Sequence, residues 1–521
     1  MRLDLLADRP DLFDVGGLAR ALRGTLGIES GLPQYTAVFP SDRRINVKVD
    51  KSVAYRDSYR PFIACAAMTL PPIDDASLVS IMKLQENLHW GVGRDRKLAS
   101  IGIYDCATFG NLISYRTMDP DNEPFVPLGM PGEKLSGRQI IESHPKGIAY
   151  AELLKGMNRY PVLVDSNGQV LSMPPIINSD ETKLKKGTTH VFIDVTGVSQ
   201  AAVTKTLDTL VCSLCEIGGK TELVEILPEG KYENRLSSPK LTPKSLDLSL
   251  AEAKRWLGLP LNEKSIVSAL RNMRFDVKPI EGSNDRFLVS YPAYRTDIRH
   301  MVDLFEDVAI GYGYANIEPK LVRSMTVGTP RAEEIVSDRV RQILIGLGYS
   351  EIMSLPLTTE EHQFERLRIA APERYPQVAN PKLKAYNVVR THLMGGLFEA
   401  LRENRRRPMP FGLFEIDNVT DLDEAAITGA SEERRVAFVE IGKASGYATA
   451  RSTVDSLLRE LGWQAEYEAI EHPTFVDGRA AACRVNGKQI GVLGEVHPEV
   501  LTNYGLTFPV ALAELTLERV F

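Results

Sequence analysis

Two periodic patterns of apolar residues divide the chain into predicted helices and strands. Apolar positions recur at helical spacing in PDLFDVGGLARALRG and in LVSIMKLQENLH, which predicts two helices near the amino terminus. The run NVKVDKSV alternates between apolar and polar residues, and PFIACAAMTL is continuously apolar. These two runs predict one half-buried and one buried strand.

The pattern also predicts several domains. Short strands alternate with helices from about residue 98 to 230, which is typical of a mixed α/β domain. A segment rich in Ser, Pro and Lys at 235–245 predicts a linker before a compact region of helices and one strand. A second break at Gly328-Thr329-Pro330 precedes strands such as GLFEIDNV and VALAELTL. The expected fold is therefore an α+β multidomain protein.

Composition excludes several classes of protein. Among 521 residues, 62 Lys and Arg stand against 68 Asp and Glu, so net charge gives no argument for a nucleic-acid partner. Five cysteines are too sparse for a secreted disulfide framework, and we expect a cytoplasmic protein. The Cys212-x-x-Cys215 pair lies in a predicted buried helix without a second pair at zinc spacing. No apolar stretch reaches the roughly 20 residues of a membrane span.

Self-contained catalytic motifs are missing from the sequence. There is no phosphate-binding loop, nucleophile elbow, HExxH zinc motif or dinucleotide fingerprint. The eight histidines are scattered without the spacing of metal ligands, which favours structural roles.

One acidic stretch stands out, YRTDIRHMVDLFEDVAIGYGY at residues 294–314. Asp303, Glu306 and Asp307 are spaced i, i+3 and i+4, so a helix places them on one face, and Asp297 lies in the preceding turn. Crowded carboxylates need a cation or arginines to neutralise them, and oxygen ligands favour magnesium or calcium. A solvated acidic helix face explains the same spacing. The spacing alone leaves both interpretations open.

The stretch RTDIRHMVDLFEDVAIGYGYANIEP closely resembles the B5 module of the phenylalanyl-tRNA synthetase β subunit. Three other stretches resemble that family in the same order: ADRPDLFDVGGLARALRG, VLSMPPIINSD with HVFIDVTG, and NPKLKAYNVVRTHLMGGLFEALREN. The resemblance is to the archaeal and eukaryotic type. It implies an incomplete N-terminal domain at 1–75, a mixed α/β editing domain of B3/B4 type at 76–235, a small B5-type domain at 236–320, and a degenerate class II synthetase-like antiparallel-sheet domain at 321–521. It also implies a late start within the first domain and no C-terminal anticodon-binding domain.

The resemblance implies an α2β2 heterotetramer in which the α subunit binds ATP and phenylalanine and aminoacylates tRNA(Phe). The class II-like part is then expected to lack ligation chemistry, because Leu413 stands where an active strand of this fold carries an arginine close to its glutamate. Arg390, Arg402 and the run 405–407 suggest phosphate binding, or equally surface charge facing the α subunit or tRNA.

The same resemblance implies site residues. Asp297, Asp303, Glu306 and Asp307 are expected to bind Mg²⁺ at a site shared with the α subunit. In the editing domain, Asp194 and Thr196 alternate along a predicted strand and so face one side, where they could receive a phenolic hydroxyl or the substrate ammonium. Ser172 and Asn178 are further candidates. Ordinary strand-end and turn chemistry explains all four equally well.

Two functions from different classes remain. The first is a β subunit that supports ligation by the α subunit and hydrolyses mischarged tyrosyl-tRNA. The second is a free-standing tRNA-binding or scaffold protein built from the same modules. Co-purification of a separate α subunit distinguishes them.

Overall fold

The chain forms two compact units in a computed structural model that describes residues 4–41, 43–54, 60–229, 236–322 and 326–517. The first unit is Met1–Leu321 and the second is Val322–Phe521. The last predicted boundary, between residues 320 and 321, lies one residue before this division.

The elements of the first unit follow the mixed pattern expected from the sequence. Its helices are α1 Val15–Thr25, α2 Lys51–Ala54, α3 Asp75–Trp90, α4 Gly137–Ser143, α5 Pro145–Tyr150, α6 Gln200–Glu216, α7 Leu250–Leu257, α8 Glu263–Asn272 and α9 Met301–Tyr312. Its strands are β1 Ala37–Val38, β2 Asn46–Val49, β3 Phe62–Thr69, β4 Ala99–Asp105, β5 Leu112–Met118, β6 Tyr160–Asp165, β7 Val170–Met173, β8 Ile177–Asn178, β9 His190–Gly197, β10 Lys220–Pro228, β11 Leu236–Ser238, β12 Lys244–Ser249, β13 Asp276–Pro279 and β14 Arg286–Tyr291.

A large mixed sheet organises the first unit in the order β4-β9-β3-β10-β2-β5-β6-β7-β8, with β1 and β11 also paired to β10. Strand β3 pairs with β9 on one side and β10 on the other. A boundary at residue 75 would therefore cut through this sheet, so β1 to β3 of the predicted 1–75 domain belong to the same sheet as the segment that follows. The physical reason is that β3 is apolar enough to be buried inside the sheet that the following segment builds.

Strand β9 is buried on both faces. On one face, Ile193 and Val195 join a core with Leu207 and Leu210 of α6. On the other, Phe192 joins a second core with residues of β2, β3, β4 and β5. Polar side chains on β9 therefore lie in an apolar environment, where they need hydrogen-bond partners.

The predicted B5-like region has a core of its own. Its sheet runs β12-β14-β13 in antiparallel pairs, and helices α7, α8 and α9 pack on it. Gly311 in α9 lets the helix approach α8 closely, because a Cβ there would lie 2.2 Å from the Ala269 carbonyl oxygen.

The second unit is a sheet with helices on both faces. Its helices are α10 Ala332–Gly346, α11 Glu360–Gln363, α12 Met394–Glu403, α13 Tyr447–Glu460 and α14 Pro498–Asn503. Its strands are β15 Tyr349–Glu351, β16 Leu357–Thr358, β17 Val388–Val389, β18 Phe411–Leu422, β19 Ala430–Ile441, β20 Glu466–Ala469, β21 Phe475–Val485, β22 Lys488–Val496 and β23 Val510–Thr516.

The main sheet of this unit runs β15-β18-β19-β23-β22-β21-β20. Its pairs are antiparallel except for β15 and β18, which are parallel. Helices α10 and α13 cover one face, and α12 and α14 cover the other. In the described part of the chain, no helix is long and apolar enough to cross a membrane.

Candidate functional site

A cavity of about 320 Å³ opens in the first unit between α3, strand β4 and the segment from β7 to β8. Its volume lies within the range of about 300 to 1,000 Å³ typical of small-molecule sites. Ser172 and Asn178, two of the predicted editing residues, line it. They stand opposite each other across the β7–β8 pair. Other lining residues are Leu78, Met82, Gln85, Glu86, His89, Arg96, Ser100, Ile101, Ile103, Leu128, Lys146, Pro174, Pro175, Ile176, Ile177, Lys183 and Leu184.

Asp194 does not line the cavity. It lies behind Ser172 and forms a hydrogen bond with Tyr104. The Tyr104 hydroxyl lies 2.5 Å from Asp194 Oδ1 and 2.8 Å from Ser172 Oγ. Because a phenol carries one proton, it donates to the carboxylate and accepts from the serine. Gly102 makes this possible, since a Cβ there would lie 1.8 Å from the Tyr104 hydroxyl oxygen. Asp194 therefore acts on the cavity through Tyr104 and Ser172.

Burial changes the chemistry of the Asp194 carboxyl. It raises the pKa of Asp194 from 3.8 to about 7, although the Tyr104 hydrogen bond and the Arg60 charge lower it. Burial and the neighbouring carboxylate also raise the pKa of Tyr104 well above its usual value, so the phenol stays protonated. The pair is consequently a neutral hydrogen-bonded unit over much of the acidic range.

Thr196 faces the same side of β9 as Asp194, as the alternation predicts, but it also lies outside the cavity lining. Arg60 donates from Nε to Thr196 Oγ1 at 3.0 Å and from Nη2 to its carbonyl oxygen at 2.7 Å. Arg60 Nη2 also donates to Ser100 Oγ at 3.0 Å, and Ser100 lines the cavity. Thr196 thus anchors a buried arginine beneath the cavity wall.

A second polar wall of the cavity, formed by Glu86, His89 and Arg96, was not predicted from the sequence. Arg96 donates from Nη2 to Glu86 Oε1 at 2.8 Å and from Nη1 to the carbonyl oxygens of Pro175 and Ile176 at 3.2 and 2.9 Å. It therefore holds the loop between Ser172 and Asn178. The spacing of Glu86 and His89, three positions apart on α3, was visible, but its alignment with Arg96 depends on the fold.

The predicted metal ligands divide between two roles. Arg295 donates to Asp307 at 2.6 and 3.0 Å and to Asp297 at 2.6 to 3.2 Å. Asp303 Oδ2 accepts the backbone N–H groups of residues 299 and 300 at the start of α9. Glu306 is exposed. An arginine inside the motif thus supplies the neutralising charge that the acidic spacing requires.

These carboxylates have the hard oxygen atoms that magnesium prefers, but they do not converge. Within the described ranges, no group of three or more His, Cys, Asp or Glu side chains is placed to hold a metal ion. Two of the four carboxylates are held by Arg295, so this arrangement fits a four-carboxylate magnesium site only in part. The magnesium site stays a prediction.

The second unit contains a smaller cavity of about 250 Å³ on its main sheet, lined in part by His392, Arg435, His472 and Glu514. Arg435 Nη1 donates to Glu514 Oε1 at 2.9 Å, and Glu514 Oε2 accepts the backbone N–H of Leu393 at 3.0 Å. Both carboxylate oxygens are therefore already bonded to the protein.

The arginines of the second unit suggested as phosphate ligands are engaged or exposed. Arg390 is buried and donates to Glu415 Oε1 at 2.8 Å and to Asp417 Oδ2 at 2.6 Å. Arg402 pairs with Glu399 on the helix surface. The run 405–407 is largely exposed. Arg390 is thus a structural residue.

Comparison with known families agrees with this division of the chain. Residues 88–213 match the B3/4 domain, 246–314 match the tRNA synthetase B5 domain, and 317–517 match the phenylalanyl tRNA synthetase beta chain CLM domain. The phenylalanine–tRNA ligase beta subunit of Methanothrix thermoacetophila is 38% identical over 99% of this chain and 92% of its own length. This chain belongs to the phenylalanine–tRNA ligase β-subunit family.

Other members of the β-subunit family are similarly close. The phenylalanine–tRNA ligase beta subunit of Methanococcoides burtonii is 36% identical over 99% of this chain and 92% of its own length. An N-terminal fragment of the phenylalanyl-tRNA synthetase beta subunit from Pyrococcus horikoshii superposes with a TM-score of 0.55 at 38% identity. It covers 59% of this chain and 85% of that fragment. The resemblance to the archaeal type is thereby confirmed, as is the α+β multidomain fold.

Proposed function

We propose that this chain supports the ligation of phenylalanine to tRNA(Phe) by an α subunit and hydrolyses mischarged tyrosyl-tRNA in its own 320 Å³ cavity. The observation that carries the proofreading part is the cavity wall formed by Ser172 and Asn178 and backed by Tyr104 and Asp194. Proofreading is needed because tyrosine is phenylalanine plus one hydroxyl, which an apolar pocket rejects by only about a hundredfold.

Asn178 is well placed to recognise that hydroxyl. Its side-chain amide makes no hydrogen bond to the rest of the described chain, and it lines the cavity. An amide both donates and accepts, so it can pair with a phenol, whereas a phenylalanyl ring offers it nothing. Ser172 is already bonded to Tyr104, which fixes the wall beside Asn178.

The test of proofreading is release of tyrosine from tyrosyl-tRNA by an assembly of the α subunit with this chain. Loss of one buried hydrogen bond costs about 1–3 kcal/mol, so Asn178→Ala should slow release roughly ten- to a hundredfold. Asn122→Ala, at an exposed turn of the same domain, is the matched control and should be unaffected. Absence of hydrolysis by the wild-type assembly contradicts the proofreading proposal.

Ligation itself is proposed to belong to the α subunit, which uses ATP. In support, the candidate arginine Arg390 is buried and already paired with Glu415 and Asp417, so it is not available to a triphosphate. Purified chain alone should not catalyse phenylalanine-dependent pyrophosphate exchange, and adding the α subunit should restore it. Exchange by the chain alone contradicts this assignment, and the lack of any α partner favours the free-standing scaffold.

An exposed apolar strip in the second unit supports pairing with the α subunit. Contiguous exposed apolar surface marks protein interfaces. The strip comprises Ile345 and Leu347 before β15 and Met353 and Leu355 after it, of which Met353 is 91% and Leu355 is 73% exposed. Changing both to Ser should leave the melting temperature of the isolated chain unchanged and weaken α-subunit binding in sizing experiments. Unaltered binding removes this strip from the interface. The α2β2 stoichiometry is likewise a proposal, which the family resemblance supports.

Magnesium binding is proposed at the two carboxylates of α9 that Arg295 does not hold. Asp303 and Glu306 are the side chains that would hold the ion, together with waters and groups of the α subunit, and the ion would supply a positive charge between subunits. Changing both to Ala should lower metal content and weaken assembly, while Glu281→Ala, an exposed carboxylate of the same domain, should change neither. Unaltered metal content and assembly favour the solvated acidic face.

A further inference from the structure

Two residues that line the 320 Å³ cavity each carry a buried nitrogen donor without an acceptor. The Nδ1 atom of His89 and the Nε atom of Arg96 make no hydrogen bond within the part of the chain that the structure describes. Their side chains are 4% and 8% exposed. Unpaired buried donors are costly, so each one calls for an explanation, such as a catalytic role or a bound water or ion.

The hydrogen bonds of His89 fix which nitrogen carries the proton. Its Nε2 accepts the backbone N–H of Ile101 at 2.8 Å. In a neutral imidazole the other nitrogen, Nδ1, must then be the donor. Burial lowers the pKa of His89 from 6.5 to about 4, although the Glu86 contact raises it, so the ring is neutral at physiological pH. His89, which lines the cavity, therefore carries a fixed N–H at Nδ1.

His89 and Arg96 can reach a common oxygen atom. Glu86 Oε1 lies 2.8 Å from Arg96 Nη2 and 3.5 Å from His89 Nδ1, which exceeds the usual N–H···O length of about 2.7–3.2 Å. The Glu86 side chain is 51% exposed, and Lys146, also half exposed, lies 3.5 Å from its other oxygen. This cluster therefore marks the end of the cavity that opens to solvent.

The position of the cluster indicates which substrate oxygen it meets. Ser172, backed by the Tyr104–Asp194 pair, is at most 2% exposed and marks the deep end of the cavity. A tRNA is too large to enter, so the amino acid occupies the deep end and the ribose stays outside. The ester that joins them then lies at the junction, beside His89 and Arg96.

We propose that His89 is a catalytic donor whose Nδ1–H, with the Nε–H of Arg96 beside it, receives the ester carbonyl oxygen of the mischarged aminoacyl-tRNA. This inference rests on the proposed proofreading function. Water adds to the carbonyl carbon, and the carbonyl electron pair moves onto the oxygen that the two donors hold. Collapse breaks the bond to the ribose oxygen, which takes the proton from the water, and releases tyrosine. Donors aimed at the developing charge stabilise that transition state.

Two isosteric substitutions separate a catalytic role from a structural one. In His89→Gln the side-chain amide reaches the Nε2 position and can keep the Ile101 hydrogen bond, but it has no donor at Nδ1. In His89→Asn the amide nitrogen replaces Nδ1 and the Ile101 bond is lost. Lys83→Gln, on the exposed face of the same helix, is the control.

The assay is single-turnover release of tyrosine from tyrosyl-tRNA by the full assembly, with binding of an amide-linked, non-hydrolysable analogue measured in parallel. His89→Gln should lower the rate constant about a hundredfold while analogue binding changes far less. His89→Asn should retain more activity than His89→Gln despite a lower melting temperature. Lys83→Gln should match the wild type.

Three results overturn the inference. Full activity of His89→Gln with a slow His89→Asn shows that only the Ile101 bond matters. Equal loss of analogue binding and of rate by His89→Gln shows a binding role instead of a catalytic one. Failure of the wild-type assembly to release tyrosine while it still charges phenylalanine overturns the proofreading function, and this inference with it, whereas slow variants beside an active wild type concern His89 alone.

Discussion

Replacing the Asp194 carboxyl by an amide should stabilise the protein in a pH-dependent way. Asp194 is 1% exposed, and burial raises its pKa from 3.8 to about 7. The folded chain then keeps this proton up to about pH 7, whereas the unfolded chain releases it near pH 4. Wild-type stability consequently falls as pH rises between these values and levels off above 7. Asp194→Asn removes that loss and keeps an oxygen to accept from Tyr104.

The magnitude follows from the pKa difference. A shift from 3.8 to about 7 is about three units, which at about 1.4 kcal/mol per unit corresponds to roughly 4 kcal/mol above pH 7 and less at pH 5. Because about 1 kcal/mol moves the melting temperature of such a domain by about 2–4 °C, a rise on the order of 10 °C at pH 8 is expected.

Thermal unfolding of Asp194→Asn and wild type at pH 5 and pH 8 measures this effect, with hydrogen exchange at β9 amides to assign it to the B3/4 domain. Asp208→Asn is a second test, since burial also raises the pKa of Asp208 to about 7. A stabilisation that is the same at both pH values, or a loss of stability at pH 8, refutes the reasoning. Deacylation should slow at both pH values, because Asn holds Tyr104 differently.

Other predictions concern packing and buried charge. Gly102→Ala should cost about 1–3 kcal/mol and slow proofreading, as melting and deacylation report, because the new Cβ would overlap the Tyr104 hydroxyl. Arg295→Met should cost about 3–5 kcal/mol, because it leaves Asp307 buried without its partner. The double variant Arg295→Met with Asp307→Leu should recover most of the lost stability, as thermal melting would show. Gly17→Ala should destabilise α1, since its Cβ would lie 1.8 Å from a carbonyl oxygen of the preceding turn.

The first helix shows how far periodicity predicts structure. The apolar spacing correctly predicts a helix, which the structure places at Val15–Thr25. Yet Val15 is 75% and Leu22 is 41% exposed, and the buried side chain is Arg20. Arg20 lies 3.5 Å above the Tyr294 ring and contacts Asp11, so charge and close glycine packing override the apolar pattern. Periodicity identifies the element but does not choose its buried face.

The candidate site in the first unit shows the same limit at longer range. Alternation along β9 predicts correctly that Asp194 and Thr196 face one side. It cannot predict that the Tyr104 hydroxyl occupies the space in front of Asp194 and also contacts Ser172. Tyr104 and Ser172 are 68 residues apart, and their strands β4 and β7 lie near opposite ends of the strand order, so only the folded sheet brings them together. His89 was missed for a related reason, since one histidine on an apolar helix face looks structural until the cavity beside it is known.

In both units a buried carboxylate is neutralised by an arginine of the same chain. Arg295 stands two residues before Asp297 in the quoted stretch, so its neutralising role was available from the sequence. In the second unit, Glu415 receives its arginine from Arg390, 25 residues earlier, instead of from its own strand. Both side chains are buried, and Ser354 completes the bonding of the carboxylate. A charge pair satisfied in this way contributes to the fold and leaves Arg390 without a free donor for a phosphate, which is why the second unit keeps a buried ion pair where the sequence suggested a ligand site.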